Sequence, residues 1–196
     1  MTSAYDSTRR AVMAALAALP FGRSAVAAAH APAAERAKTR TLVAYFSRTG
    51  NTRVVAGLVH RAHDTDLFEI VPANPYPEDY LETVAQARKE SGSGYKPALA
   101  SRVPRMAEYE TVFLGFPIWG ETAPPVIRSF LADHDLSGKK LIPFITHGGY
   151  GLGNSMSILA SLAPKAQLLT GFTMEADQER RTMERVTSWL GTVSAK

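Results

Sequence analysis

No cysteine occurs in the 196 residues, which removes disulfides, thiolate metal sites and every cysteine-based mechanism. Histidine is scarce, at five residues. His60 and His63 stand three apart, but no further His, Asp or Glu completes a metal-ligand spacing, and both are expected at the surface. Charge of one sign is also lacking. Charged residues make up 20% and the net charge is +4. Part of that excess lies in the first 31 residues, where Arg9, Arg10 and Arg23 face only Asp6, leaving 19 basic against 17 acidic residues in the body. The pI near 9.4 therefore comes without a clustered basic face, and nucleic acid is not an expected partner. The apolar run from Ala11 to Phe21 falls short of the roughly 20 residues that span a bilayer, so no stable membrane insertion is expected.

What stands at the N-terminus is an address. "STRRAVMAALAALPFGRSAVAAAHA" places two arginines before a modest apolar run and then small residues, the layout of an export signal. Thr8-Arg9-Arg10-Ala11-Val12-Met13 resembles a twin-arginine signal, which implies export in the folded state to the periplasm or beyond. Cleavage is expected after Ala27 or Ala29. The competing reading is an alanine-rich amphipathic helix or an unstructured tail. The expected organisation is a signal over 1–29, a linker over 30–40 and one domain over 41–193.

The body alternates strand and helix signals. "TLVAYF" (41–46) is a continuous apolar, β-branched run suited to a strand buried on both faces. Strand signals recur in "DLFEIV" (66–71), "TVFLGF" (111–116), "KLIPFIT" (140–146, despite Pro143) and "AQLLTGFTM" (166–174). Helical spacing fills the gaps: 52–63 with Val55, Leu58 and Val59 on one side, 77–90, 124–134, 154–164 and 175–191. Five strands alternating with helices predict an α/β fold, a parallel sheet covered on both faces. The Gly-, Ser- and Pro-rich stretch 91–106 reads as a long connector.

Three loops leave strand ends with unusual chemistry. In "SRTGNT" (47–52), Ser47, Thr49 and Thr52 bring hydroxyls, Asn51 an amide and Gly50 a sharp turn into a helix N-terminus. Free N–H groups and the helix dipole there favour an anion, so neutral donors can hold a phosphate without a lysine. The plainer reading is an ordinary helix cap with a turn glycine. In "PIWGETAPP" (117–125), Trp119 is either a lid over a pocket or a plug packed on the core. In "THGGYGLGNS" (146–155), Gly148, Gly149, Gly151 and Gly153 permit close backbone approach to a flat polar edge, and Tyr150 offers a second stacking surface. His147 fits a structural hydrogen-bonder better than a catalyst.

"YFSRTGNT", "GFPIWGETAPP" and "THGGYGLGNS", in this order and after these strands, resemble the three cofactor loops of the flavodoxin-like family, specifically a bacterial subgroup here carrying a twin-arginine-type signal. The resemblance covers residues 41–191. It implies a three-layer sandwich with a five-stranded parallel sheet in the order 2-1-3-4-5, and FMN as cofactor. It further implies that Ser47, Arg48, Thr49, Gly50, Asn51 and Thr52 hold the ribityl phosphate. Pro117, Ile118, Trp119 and Gly120 would lie along the isoalloxazine; His147, Gly148, Gly149, Tyr150 and Gly151 would border its other side and pyrimidine edge. No catalytic residue and no metal is implied.

Response regulators share the architecture but need an Asp where this chain has Phe116-Pro117, and phosphotyrosine phosphatases need a cysteine. Two functions stay open. One is electron transfer through bound flavin between partners; the other is an FMN-dependent oxidoreductase passing electrons from NAD(P)H or a quinol to a small acceptor such as a quinone. The partner is accordingly a redox protein, a membrane quinol or a small-molecule acceptor. Electron-carrying flavodoxins are usually strongly acidic, which steers them to basic partners; this near-neutral body departs from that pattern.

Overall fold

The computed structural model describes residues 40–175 and 179–193, the side chains of 179–184 excepted. The expected signal and, but for Arg40, the expected linker lie outside the described residues. Elements follow in the order β1 (Arg40–Tyr45), α1 (Asn51–His63), β2 (Asp66–Glu69), α2 (Tyr80–Ser93), β3 (Tyr109–Pro117), α3 (Pro125–Asp133), β4 (Lys140–His147), α4 (Ser155–Leu162), β5 (Gln167–Leu168), β6 (Phe172–Glu175) and α5 (Glu179–Val193). The sheet is parallel with the order β2-β1-β3-β4-β5, and β6 also pairs with β4. This is the predicted 2-1-3-4-5 order. Its reversal point lies between β1 and β3, where ligands bind outside the strand ends.

Strand alternation splits the core in two. Leu42, Ala44, Phe46, Val112, Leu114 and Phe116 face one side with Val126, Ile127 and Phe130 of α3 and Leu159 of α4. Val43, Tyr45, Phe113, Ile142 and Phe144 face the other with Val55, Ala56 and Val59 of α1 and Val186 and Leu190 of α5. Successive residues point to opposite faces, so the central strands β1, β3 and β4 are apolar over most of their length, whereas the edge strand β2 (DLFE) is exposed or half-buried. Gly115 serves the second face. A Cβ there would lie 2.1 Å from the Phe144 ring, which covers the glycine from the next strand.

The fifth strand departs from expectation. It is predicted as one run over 166–174 but forms as β5 and β6. Leu168 pairs with Leu141 and Phe172 with Phe144, so four steps on one strand match three on the other. The extra residue falls opposite Pro143, which has no N–H for the ladder, and the result is a bulge. Gly171 fits there because a Cβ would sit 2.1 Å from the Pro143 carbonyl oxygen. His63 also departs: it is half-buried and stacks on Phe113 with ring centroids 5.5 Å apart. No helix among the described residues is long and apolar enough to cross a membrane.

The connector, expected over 91–106, begins after α2 at Gly94 and is pinned at its far end by a buried histidine. His134 Nδ1–H donates to the Phe130 carbonyl at 2.8 Å, while Nε2 accepts the Val103 N–H at 3.0 Å. Only the neutral ring satisfies both. Burial lowers the His134 pKa against the opposing pull of the Phe130 carbonyl and Asp133; Arg102, paired with Asp133, adds to the lowering. Below the ordinary value near 6.5 the unfolded chain takes up a proton that the folded site resists, so this stability is full above that pH and lost as pH falls toward the lowered value. His63, also lowered by burial, adds in the same direction. Melting temperatures measured from pH 7.5 to 5 are expected to fall with acid. In His134→Gln the decline should be shallower; an unchanged acid slope would remove His134 as a cause.

Candidate functional site

The first loop is closed by its own serine. Ser47 Oγ accepts the N–H groups of Gly50 at 3.2 Å and Arg53 at 3.3 Å. Gly50, the residue at the α1 cap, has φ 96°, a left-handed conformation that glycine adopts without strain. The first turn of α1 holds no acidic residue. Thr49 is exposed and Asn51 half-buried, so both sit where a ligand can reach them. The helix end thus presents neutral donors and a positive dipole end.

Two residues of this loop face elsewhere. Thr52 is 1% exposed, and its hydroxyl lies 2.8 Å from the Thr146 hydroxyl at the end of β4. It braces the loop from beneath. Arg48 turns toward the loop that follows β2: Nη2 donates to the Glu78 carbonyl at 2.6 Å, and the guanidinium lies 5.9 Å over the Tyr80 ring.

The second loop leaves β3 through Pro117. Ile118 N–H donates to the Thr146 carbonyl at 2.8 Å, so Thr146 touches both the first and second loops. Trp119 and Thr122 then exchange backbone hydrogen bonds of 3.0 and 3.3 Å across Gly120 and Glu121. With φ of 57° and 62° at these two central residues, the turn is type I′. Arg128 Nη2 donates to Thr122 Oγ1 at 3.2 Å and ties the turn to α3. The Trp119 ring meets Phe46 edge-on at 5.2 Å and Tyr76 at 4.8 Å. Trp119 is therefore packed against the core edge as a half-buried wall.

The third loop begins at Thr146. His147 Nδ1 accepts the Gly149 N–H at 3.1 Å, which gives this histidine a role in shaping the loop. Gly149, Gly151 and Gly153 have φ of 104°, 74° and 52°. Gly153 passes so close to the second loop that a Cβ would lie 1.8 Å from the Glu121 carbonyl oxygen, which instead accepts the Asn154 N–H at 2.9 Å. At Gly50, Gly120, Gly148 and Gly151 a Cβ would meet nothing within 4 Å, leaving room above the backbone for a flat ligand. Tyr150 is 85% exposed and stands clear of the other rings.

The structure thus brings together Ser47–Thr52, Pro117–Gly120 and His147–Gly151 at one edge of the sheet. It also adds residues the sequence reading passed over. A cleft of about 420 Å³ opens beside the first loop, lined by Phe46, Ser47, Arg48, 69–72 and 75–78. Tyr76 is its inner wall. The Tyr76 hydroxyl donates to Glu90 at 2.8 Å, and burial with the neighbouring carboxylate raises its pKa far above the usual phenol range. The signal was "VPANPYPED", three prolines directly after a strand, which stiffen a loop where a plain polar connection needs no stiffening. Among the described residues no cluster of His, Asp or Glu could hold a metal ion.

Residues 40–193 match the model of the family described as Flavodoxin. Two solved structures of proteins assigned as flavoproteins are similar. One, from Bacteroides uniformis, is 34% identical with TM-score 0.67, covering 76% of this chain and 97% of its own. The other, from Bacteroides eggerthii, is 33% identical with TM-score 0.68, covering 80% and 99%. A flavoprotein from Lactobacillus acidophilus, solved in complex with FMN, is 19% identical with TM-score 0.63 over 69% of this chain and 93% of its own, a likeness of fold. No curated protein matches the chain.

If Thr146 joins the loops, removing one hydroxyl of the Thr52–Thr146 pair must cost more than removing both. Thr146→Val should destabilise the protein by about 1–3 kcal/mol, since it strands a buried hydroxyl. Thr52→Val combined with Thr146→Val should recover part of that loss. Denaturant unfolding of the three variants would show it; strictly additive losses would contradict the pairing.

Proposed function

The chain belongs to the flavodoxin family, and from that premise we propose that it binds FMN across its three strand-end loops and transfers electrons through the bound flavin. The observation that carries this reading is the convergence of the three loops at the C-terminal ends of β1, β3 and β4, joined through Thr146. The residues fit the cofactor. The acid-free, glycine-capped start of α1, with Ser47, Thr49 and Asn51, suits a phosphate. The open space above Gly120, Gly148 and Gly151 suits a flat ring. The FMN complex of the Lactobacillus protein, which shares the fold, lends support.

Bound there, the flavin supplies a ring that takes up and releases electrons; the protein orients it and sets its electrostatic surroundings. Thr52 holds the phosphate loop from below, and Thr49 and Asn51 present donors. Pro117, Ile118 and Gly120 would border the ring on one side, and His147 to Gly151 on the other. Trp119 keeps water from the Phe46 edge.

A second reading is favoured by one observation, the cleft beside the first loop. A flavin enzyme that reduces a small acceptor needs such a pocket, whereas a carrier that docks on proteins does not. The near-neutral body, poor in the acidic charge that steers carriers, points the same way. We propose further that the arginine pair and the apolar run at the N-terminus serve as an export signal; outside the cytoplasm soluble NAD(P)H is lacking, and a membrane quinol or a redox protein would then be the donor.

Thr49→Ala with Asn51→Ala is expected to weaken FMN binding by roughly tenfold or more, about 1.4 kcal/mol, in a fluorescence titration. Wild-type affinity in a folded double variant would contradict the phosphate-loop assignment.

A further inference from the structure

The cleft of about 420 Å³ is not explained by the flavin cradle, because only Ser47 and Arg48 of its lining belong to the three loops. It lies on the β2 side of Phe46, and the Trp119–Tyr76 contact walls it from the second loop. Its size falls in the range of small-molecule sites.

Its walls are fixed before any ligand arrives. Pro72, Pro75 and Pro77 restrict the loop after β2. Ala73 N–H donates to the Ala98 carbonyl at 2.7 Å and Ala100 N–H to the Val71 carbonyl at 2.8 Å, which clips the same loop to the connector after α2. Tyr76 is anchored on Glu90, whose other oxygen accepts Gln86 Nε2–H at 2.8 Å. A rigid pocket loses little entropy on filling.

The lining selects a chemistry. Phe46, Ile70, Tyr76 and the proline rings are flat or apolar. At one end, Arg48 spends one N–H on Glu78, leans on Tyr80, and has no carboxylate within ion-pair distance among the described residues. Its remaining N–H groups are donors suited to an oxygen acceptor. Glu69 and Glu78 also line the cleft and oppose a full negative charge; Glu69 is paired with Arg53 and bonded by Tyr45.

We propose that this cleft binds a planar, uncharged, conjugated ring bearing carbonyl oxygens, the chemical class of the quinones. The inference rests on the flavin reading for what the bound ring is for, an acceptor beside the cofactor, and not for whether the ring binds.

Menadione is the probe, titrated by calorimetry into the FMN-loaded protein, with the same titration on flavin-free protein. Val71 lines the cleft and is 44% exposed, so Val71→Trp fills the space without disturbing the core. Menadione is expected to bind, and Val71→Trp to weaken it roughly tenfold or more while FMN affinity stays unchanged. The anionic analogue 1,4-naphthoquinone-2-sulfonate is expected to bind more weakly. The proposal is overturned if menadione does not bind or binds Val71→Trp equally well, or if the sulfonate binds as tightly. Equal loss of FMN and menadione in Val71→Trp would also overturn it, since the cleft would then be part of the flavin cradle. If the protein takes up no FMN, quinone binding to the flavin-free chain that Val71→Trp weakens would uphold the cleft and defeat only the flavin reading.

Discussion

Thr146 is the point on which the site depends. Its hydroxyl pairs with Thr52 beneath the first loop, its carbonyl accepts Ile118 of the second, and it is the residue from which the third departs. It is 3% exposed, so these bonds are made where water does not compete. Three segments separated by long stretches of sequence are thereby held in one geometry at the switch point of the sheet. The second and third loops are locked again where Gly153 crosses Glu121. Loops are ordinarily the mobile part of such a fold. Here their inner edges are tied to the strands, while Thr49, Gly148 and Tyr150 remain exposed above them.

The same economy of charge runs through the surroundings. The first loop pairs a helix end with neutral side chains, and its arginine turns to the Glu78 backbone carbonyl and the Tyr80 ring. Arg53, next along, is taken up by Glu69. The Phe46–Tyr76–Trp119 cluster links the loop edge to the cleft, so a ligand in one borders the other.

Most of the fold was legible because central parallel strands buried on both faces are largely apolar, as in 41–46, 111–116 and 140–146, and because strand signals alternate with helical patterns along the body. The strand order came from the likeness of the three loops to a known family. The break at Leu169–Gly171 was not legible, since it arises from Pro143 on a different strand. A threonine at position 52 suits a phosphate ligand, but its burial depends on Thr146, far along the chain. The cleft escaped for the same reason. It is made by 69–78 meeting Phe46, Glu90 and the 98–100 segment, and pairings across such distances leave no local pattern. His63 looked like a surface residue because only the packed sheet brings Phe113 beneath it.

The central claim is that the three loops tied at Thr146 form one flavin cradle. Backbone amide NMR of the purified protein, recorded before and after adding FMN, tests it most directly. The account predicts that 47–52, 117–121 and 147–153 shift together and saturate at one concentration. Shifts confined to one loop, or a spectrum that FMN leaves unchanged, would contradict it.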